Sequence, residues 1–521
     1  MEYGPAMMRM VLAISALSLG CPGASPPVPT SPGTLEQEVE EAPPPARLAV
    51  SALPGLDRWT RHIDKELMSF WAAPGALGQP VGNFPTFLCN DGSAYDAGAP
   101  CKEMTELPGW LSQELTTTYT RMKSRQAFTY GVAFHVTGDQ RYLTYARAGV
   151  EWLRQNAYQR DTGSAITYWR DGVAGPPAAQ RTTQDLAYAQ LGLAFYYYLT
   201  RDPEVLDDMT RLREHVMREY WDESWGMLRW VREDGDAADG DDTVKKELVA
   251  QLDQINAYLL LVSRIAPEGP EAGAWKRDLR TLARVVKERF FAPEYGMFWG
   301  VVHDPAEMKL GGRHVDFGHS IKALWMIYLT GQLFDDGELV EFARQHAGGV
   351  LERAALESGC WASGYTPEGV VVEFSQWWIH AELDQAAATF ALREKDHERY
   401  SRYLGKSYEC WLTRFVDRKG GGVWPFVPPD WTEDIFAERQ PIKAHQWKSG
   451  YHAAEHGLVS LLTTAGLTGQ KQALYFAFKQ APEPGGVHPY LLEGTIVAQE
   501  DVALPGHADL RGVRVVFEGI R

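Results

Sequence analysis

Two histidines in this sequence stand where an apolar helix begins. His319 lies in Asp316-Phe317-Gly318-His319-Ser320-Ile321-Lys322, and an apolar run (Ile321, Leu324, Trp325, Met326, Tyr328, Leu329) follows Gly318 at helical spacing. His452 lies in Ser449-Gly450-Tyr451-His452, ahead of Leu458, Val459, Leu461 and Leu462. A histidine in a first helical turn can face a cavity and titrate near neutral pH, which proton-transfer chemistry needs. The plainer reading of either one is a cap or a packing residue. Two stations of the same kind shift the balance toward chemistry.

Such stations need a scaffold. From about Leu53 onward amphipathic helices dominate. Apolar helices with small or aromatic faces recur around Arg125, Leu186-Ala187-Tyr188-Ala189-Gln190, Leu252-Asp253-Gln254, His319, Trp377-Trp378-Ile379-His380-Ala381-Glu382 and His452, roughly every 60–75 residues. More polar helices lie between them: Leu143 to Gln155, Val205 to Tyr220, Ala274 to Phe291 and His397 to Phe415. Six helices apolar all round, alternating with helices that bury a stripe, describe a closed ring of hairpins. The expected fold is all-α, an (α/α)6 barrel over residues 51–470. Its long loops (Thr162 to Ala179, Asp234 to Asp242, Gly359 to Ser375, Gly420 to Gln446) would shape a cleft on one face. The tail, 471–521, reads as a small β-rich appendage, with strands expected at Tyr490 to Val497 and Val513 to Gly519.

Composition narrows the partners. A chain of 521 residues with a formal charge of −17 and no basic run argues against nucleic acid. Aromatics at 12%, with 18 Trp, suit either core packing or a sugar cleft. Residues 1–21 read as a signal peptide. The run Val11 to Leu19 is too short to span a bilayer, and Leu17-Ser18-Leu19-Gly20-Cys21 resembles a lipobox in which Cys21 is lipidated. Residues 22–50 follow as a Pro-rich tether. The expectation is an exported lipoprotein that meets membrane only through Cys21. Cys89 and Cys101 flank a short loop that a disulfide would close; Cys360 and Cys410 are either paired or simply buried. No Cys/His spacing indicates zinc. The acidic turns Asp234-Gly235-Asp236 and Asp239-Gly240-Asp241-Asp242 lack EF-hand spacing and read as solvated loops.

Taken in order, Arg125, Tyr188-Ala189-Gln190, Gly318-His319-Ser320-Ile321, Trp377-Trp378-x-x-Ala381-Glu382 and Lys448-Ser449-Gly450-Tyr451-His452 resemble the N-acylglucosamine 2-epimerase family, which includes cellobiose 2-epimerases and aldose–ketose isomerases. The resemblance implies the same barrel, a reducing carbohydrate as substrate and no cofactor. It implies that His319 and His452 are the pair that moves a proton at C2 through an enediolate, and that Arg125 stabilises the developing charge. Tyr188, Gln190, Trp377, Trp378 and Glu382 then belong to the sugar site. The sequence also departs from the family. Asp253 stands where many members have histidine, Lys322 where glutamate is common, and Ala453 and Glu455 where asparagine and arginine are usual. Lys322 and Asp253 are readable as a swapped ion pair within the substrate site, or as a mark of altered substrate or lost activity.

Two other readings compete. A glycoside hydrolase or lyase on the same toroid would need facing carboxylates, with Asp253, Glu382 and Asp185 available. A non-catalytic sugar-binding lipoprotein would keep the cleft alone. His380 sits on a different helical face from Trp377 and ranks second; His314 and His445 are expected in loops near the cleft.

Overall fold

Helices that are apolar all round alternate along the chain with helices that are apolar on one side, and this difference sorts them into two layers. The computed structural model describes residues 53–235, 242–432 and 441–521. The segments 1–21 and 22–50, Cys21, and Asp236 to Asp241 of the acidic turns lie outside the described residues. Among the described residues twelve long helical runs form six pairs. They are α1 (Leu56–Arg61, running on through His62–Leu67 and Met68–Trp71) with α2 (Thr120–Thr137), and α3 (Gln140–Asn156) with α4 (Thr183–Thr200). Next come α5 (Pro203–Glu219) with α6 (Leu248–Gln254, continued by Ile255–Leu259 and Leu260–Val262), and α7 (Pro270–Val285, continued by Val286–Phe290) with α8 (Phe317–Leu333). The last are α9 (Gly337–Ala354) with α10 (Trp377–Arg393), and α11 (Leu404–Cys410, continued by Trp411–Phe415) with α12 (Tyr451–Thr468).

The even-numbered helices are the inner layer. Every residue of α2 from Thr120 to Val136 is buried, as is every residue of α12 from Tyr451 to Ala465. The odd-numbered helices bury a stripe, as α3 does with Tyr142, Leu143, Ala146, Val150 and Leu153. Complete burial requires neighbours on all sides. The inner helices supply them: α2 packs on α4, α4 on α6, α6 on α8, α8 on α10, α10 on α12, and α12 back on α2. Local signals set where the helices start. Thr182 caps α4 by accepting from the Asp185 N–H, Asp202 with Pro203 starts α5, and Asp316 caps α8. Gly318 allows α8 to press on α10, because a Cβ there would lie 2.7 Å from Trp378 and Ile379.

The tail forms an antiparallel sheet of β1 (Gln472–Phe478), β2 (Thr495–Val502) and β3 (Arg511–Glu518), in the order β1-β3-β2. One expected strand, Val513 to Gly519, lies within β3 except for Gly519. The other begins at Thr495, so Tyr490 to Gly494 is turn and not strand, and β1 was not expected at all. β1 follows α12 after a short turn, and its apolar run cannot be told from a buried helical segment by periodicity. It packs on α2 and α4, where the Tyr475 carbonyl lies 2.8 Å from His135 Nδ1. Short antiparallel strand pairs from separate loops also cover the helix starts: Ser375–Gln376 pairs with Phe426–Val427, and Thr117–Tyr119 with Tyr168–Arg170.

Both cysteine pairs are disulfides, Cys89–Cys101 and Cys360–Cys410. The first closes a loop of sequence separation 12 that contains no helix. Replacing both Cys89 and Cys101 with serine is expected to lower unfolding free energy by about 3 kcal/mol, measured by chemical denaturation under oxidising conditions.

Candidate active site

The first turns of the inner helices converge, and they bring most of the singled-out residues into one buried cluster. His319 is held by its own helix cap. Asp316 Oδ1 accepts from the His319 N–H at 2.7 Å, and Oδ2 lies 2.6 Å from His319 Nδ1. One aspartate therefore both starts α8 and fixes the ring. With the Nδ1 proton directed at Asp316, Nε2 is the nitrogen left for chemistry. The His319 ring packs 4.8 Å from Trp378 and 4.8 Å from His314.

His452 approaches the same indole from α12, its ring 6.3 Å from Trp378 and 6.3 Å from Trp377. Its Nε2 has no hydrogen-bond partner and lies 3.6 Å from Glu382 Oε1, which has none either. Burial, with the positive charges of Lys322 and Arg125, holds the His452 pKa well below 6.5. His452 is thus a neutral imidazole at physiological pH, ready to accept a proton.

The charges around the pair are arranged in a line. Lys322 Nζ donates to Asp253 Oδ1 at 2.8 Å and lies 3.9 Å from Glu382 Oε1. Burial works against the ammonium, but Asp253, Tyr188 and Glu382 outweigh it and raise its pKa. Asp253 also accepts from the Tyr188 hydroxyl at 2.9 Å and Gln184 Nε2 at 2.8 Å; despite burial its pKa is lowered, chiefly by Lys322. Glu382 Oε2 accepts from Trp325 Nε1 at 2.9 Å, and burial raises the Glu382 pKa against the pull of Lys322. Arg125 lies flat on Tyr188, its guanidinium carbon 3.8 Å from the ring centroid, and donates to the Trp447 carbonyl at 3.2 Å. Its Nε is unpartnered. Lys448 points over Trp377 at 5.1 Å, and burial, with Lys443 nearby, lowers its pKa to about 7.

These carboxylates are not free to face one another as a hydrolytic pair. Lys322 stands between Asp253 and Glu382, and Asp185 is ion-paired with Arg121. A paired, cation-bridged acid is a poor general acid for glycosidic oxygen.

Known proteins resemble this chain in sequence and fold. No protein-family model matches the chain. Cellobiose 2-epimerase of Eubacterium cellulosolvens is 22% identical over 351 residues, 64% of this chain and 84% of that protein. The cellobiose 2-epimerase of Dictyoglomus turgidum is 24% identical over 348 residues, with the same shares. The chain is similar in sequence to these cellobiose 2-epimerases. Among solved structures, cellobiose 2-epimerase from Bacillus thermoamylovorans superposes with a TM-score of 0.62 at 16% identity, over 78% of this chain and 98% of that one. A D-mannose isomerase superposes at 0.60 and 17% identity, over 79% and 99%. The fold is therefore the helical toroid of the cellobiose 2-epimerase structures.

Two of the departures named above form a unit. Lys322 and Asp253, foreign to the family pattern, are bonded to each other, as the swapped-pair reading expected. Of the residues singled out for the sugar site, Gln190 is the exception. It lies two residues beyond Tyr188, about 200° around the helix, and neighbours Tyr258, whose ring packs on Trp275 of the outer helix α7. Gln190 belongs to the wall between helices. His380 likewise turns outward to the Ser407 carbonyl at 3.1 Å. His445 is buried against Trp110, ring centroids 5.7 Å apart. Asp316 and Trp325 join the cluster through bonds that sequence reasoning missed. Asp316 alone carried a signal, an Asp three residues ahead of a first-turn histidine.

Proposed function

We propose that this protein is a sugar 2-epimerase or aldose–ketose isomerase that acts on a reducing mono- or oligosaccharide by histidine-mediated proton transfer, on an (α/α)6 barrel. The observation that carries the reading is the pair of imidazoles, His319 and His452, on separate inner helices against one indole, Trp378, with the nearby carboxylates bridged by Lys322. The closed circuit of inner-helix contacts supports the barrel.

The chemistry follows from the geometry. A sugar C2–H is acidic only in the open-chain aldehyde, where loss of the proton gives an enediolate. Neutral His452 takes the proton from one face. His319, its Nδ1 held by Asp316, returns one from Nε2 to the other face of C2 for epimerisation, or C1 receives it for isomerisation. The two rings exchange protonation states and reset through solvent. Arg125, with Nε open, stabilises the enediolate oxygens, and Trp377 and Trp378 form the wall on which a pyranose stacks. Export, with a lipid on Cys21, rests on the sequence of residues 1–21 and would place this activity outside the cytoplasm.

Product analysis tests the reading. Protein lacking residues 1–50, incubated with cellobiose, lactose, glucose or mannose, is expected to yield a saccharide of unchanged mass and new chromatographic mobility. Shorter saccharides in place of isomers would overturn it.

A further inference from the structure

The segment between β1 and β2 reaches one of the site's own helices from the far end. Tyr490, Leu491 and Leu492 are buried. Tyr490 has φ +59°, a left-handed conformation that is costly for an aromatic residue. Its surroundings over-determine it. The Tyr198 hydroxyl donates to the His488 carbonyl at 2.6 Å and accepts from the Tyr490 N–H at 2.9 Å. Arg264 and Arg393 each donate to the Leu491 carbonyl at 3.0 Å. These anchors direct the phenol inward beside Phe195, and its hydroxyl donates to Glu455 Oε1 at 2.6 Å. Glu455 lies one turn along α12 from Tyr451, whose ring is 4.3 Å from His452 and whose hydroxyl accepts from Asn256 Nδ2 at 2.9 Å.

We propose that Tyr490 of the C-terminal segment is a positioning residue for the sugar site, acting through Glu455 on Glu382 and on the Tyr451–His452 face. The inference rests on the proton-transfer reading above. The ionisable groups that face Glu455 are Tyr451 on its own helix, Tyr490 on the C-terminal segment, Glu382 on α10 and Lys322 on α8. Burial and the charge of Glu382 push Glu455 up to about 7, while the two phenols pull it down. Tyr490, raised well above 10 by burial and Glu455, stays protonated and donates. While Glu455 keeps its proton, Glu382 is the carboxylate that balances Lys322 and faces His452. When Glu455 ionises, two buried carboxylates share a lysine already bonded to Asp253, and the added negative charge raises the proton affinity of the groups around it. His452 then holds the proton it has taken more tightly and releases it more slowly. Turnover therefore falls as Glu455 ionises, and the Tyr490 hydrogen bond sets the pH at which it does.

Tyr490→Phe keeps the ring in its socket and removes one hydrogen bond; Glu455→Gln removes the titration. The experiment reads kcat and kcat/KM against pH, together with the His452 ring 13C resonance, which needs no substrate. The wild type is expected to lose kcat above about pH 7, the pH at which Glu455 ionises. Glu455→Gln should lack that limb. Tyr490→Phe should move it to higher pH and shift the His452 resonance, because loss of the bond favours the protonated acid. Superimposable profiles and an unchanged resonance, with only a lowered Tm, would overturn the proposal. If the wild type turns over no sugar, the functional reading fails, and the resonance still decides whether Tyr490 acts on His452. If Glu455→Gln does not fold, Tyr490→Phe decides alone.

Discussion

Replacing His452 or His319 with alanine is expected to lower the rate of epimerisation by on the order of 10²–10⁴, the range for losing a positioned general acid or base. Little else near C2 could substitute. Glu382 Oε1 lies 3.6 Å from His452 Nε2, but its partner across the cluster is Lys322. The Arg125 guanidinium offers donors and no acceptor. The two variants should differ from each other in an informative way. A single remaining imidazole can still remove and replace a proton on its own face, so each variant should exchange the C2 hydrogen with solvent faster than it inverts C2. Stability should change little. In His319→Ala, Asp316 still accepts from the residue 319 backbone N–H and still caps α8. Thermal unfolding of both variants, measured beside the rates, separates lost chemistry from lost fold.

Lys322→Met is expected to cost about 3–5 kcal/mol of unfolding free energy, the penalty for stranding a buried charge by removing its partner. The stranded group is Asp253, 2% exposed, left with Tyr188 and Gln184 as donors but no cation. A second substitution, Asp253→Leu, should restore most of the loss, so the double variant should be more stable than the sum of the singles predicts. The pH window follows from the directions of the shifts. Asp253 is lowered from 3.8, so its share of the pair's stability is present above that value and is lost as pH falls through the lowered one. Lys322 is raised from 10.5, so its share is complete below 10.5 and is lost as pH rises through the raised value. Urea unfolding at about pH 8 and about pH 9, both above the pH at which Glu455 ionises, should therefore give the same Lys322→Met penalty. A penalty near zero at either pH would mean that Asp253 is already protonated or solvated in the native protein.

Much of this arrangement was legible in the sequence, because the site is built from the first two turns of helices whose full burial makes them stand out. Arg125, His319, Trp377, Trp378, Glu382 and His452 each sit there, and their motifs follow chain order. The Lys322–Asp253 pair could be anticipated because a buried charge requires a partner. What escaped was set by geometry that spacing does not encode. Gln190 shares a motif with Tyr188 but not a helical face. The double duty of Asp316 depends on a cap geometry that places its second oxygen on the His319 ring. Tyr490 looked like the start of a strand, and its bond to Glu455 joins the tail to α12 through a left-handed turn at a non-glycine residue. The strand Gln472–Phe478 was hidden by its apolar run close behind a long buried helix.

The central claim is that this cleft moves a proton at C2 of a reducing sugar between two histidines. Proton NMR of the protein in D2O with cellobiose, lactose and their monosaccharides tests it most directly. The C2 proton signal of at least one sugar is expected to decay and deuterium to appear in both epimers or in the ketose, with the glycosidic bond intact. Cleavage of that bond with no deuterium at C2, or saturable sugar binding with every C2 proton retained, would contradict it.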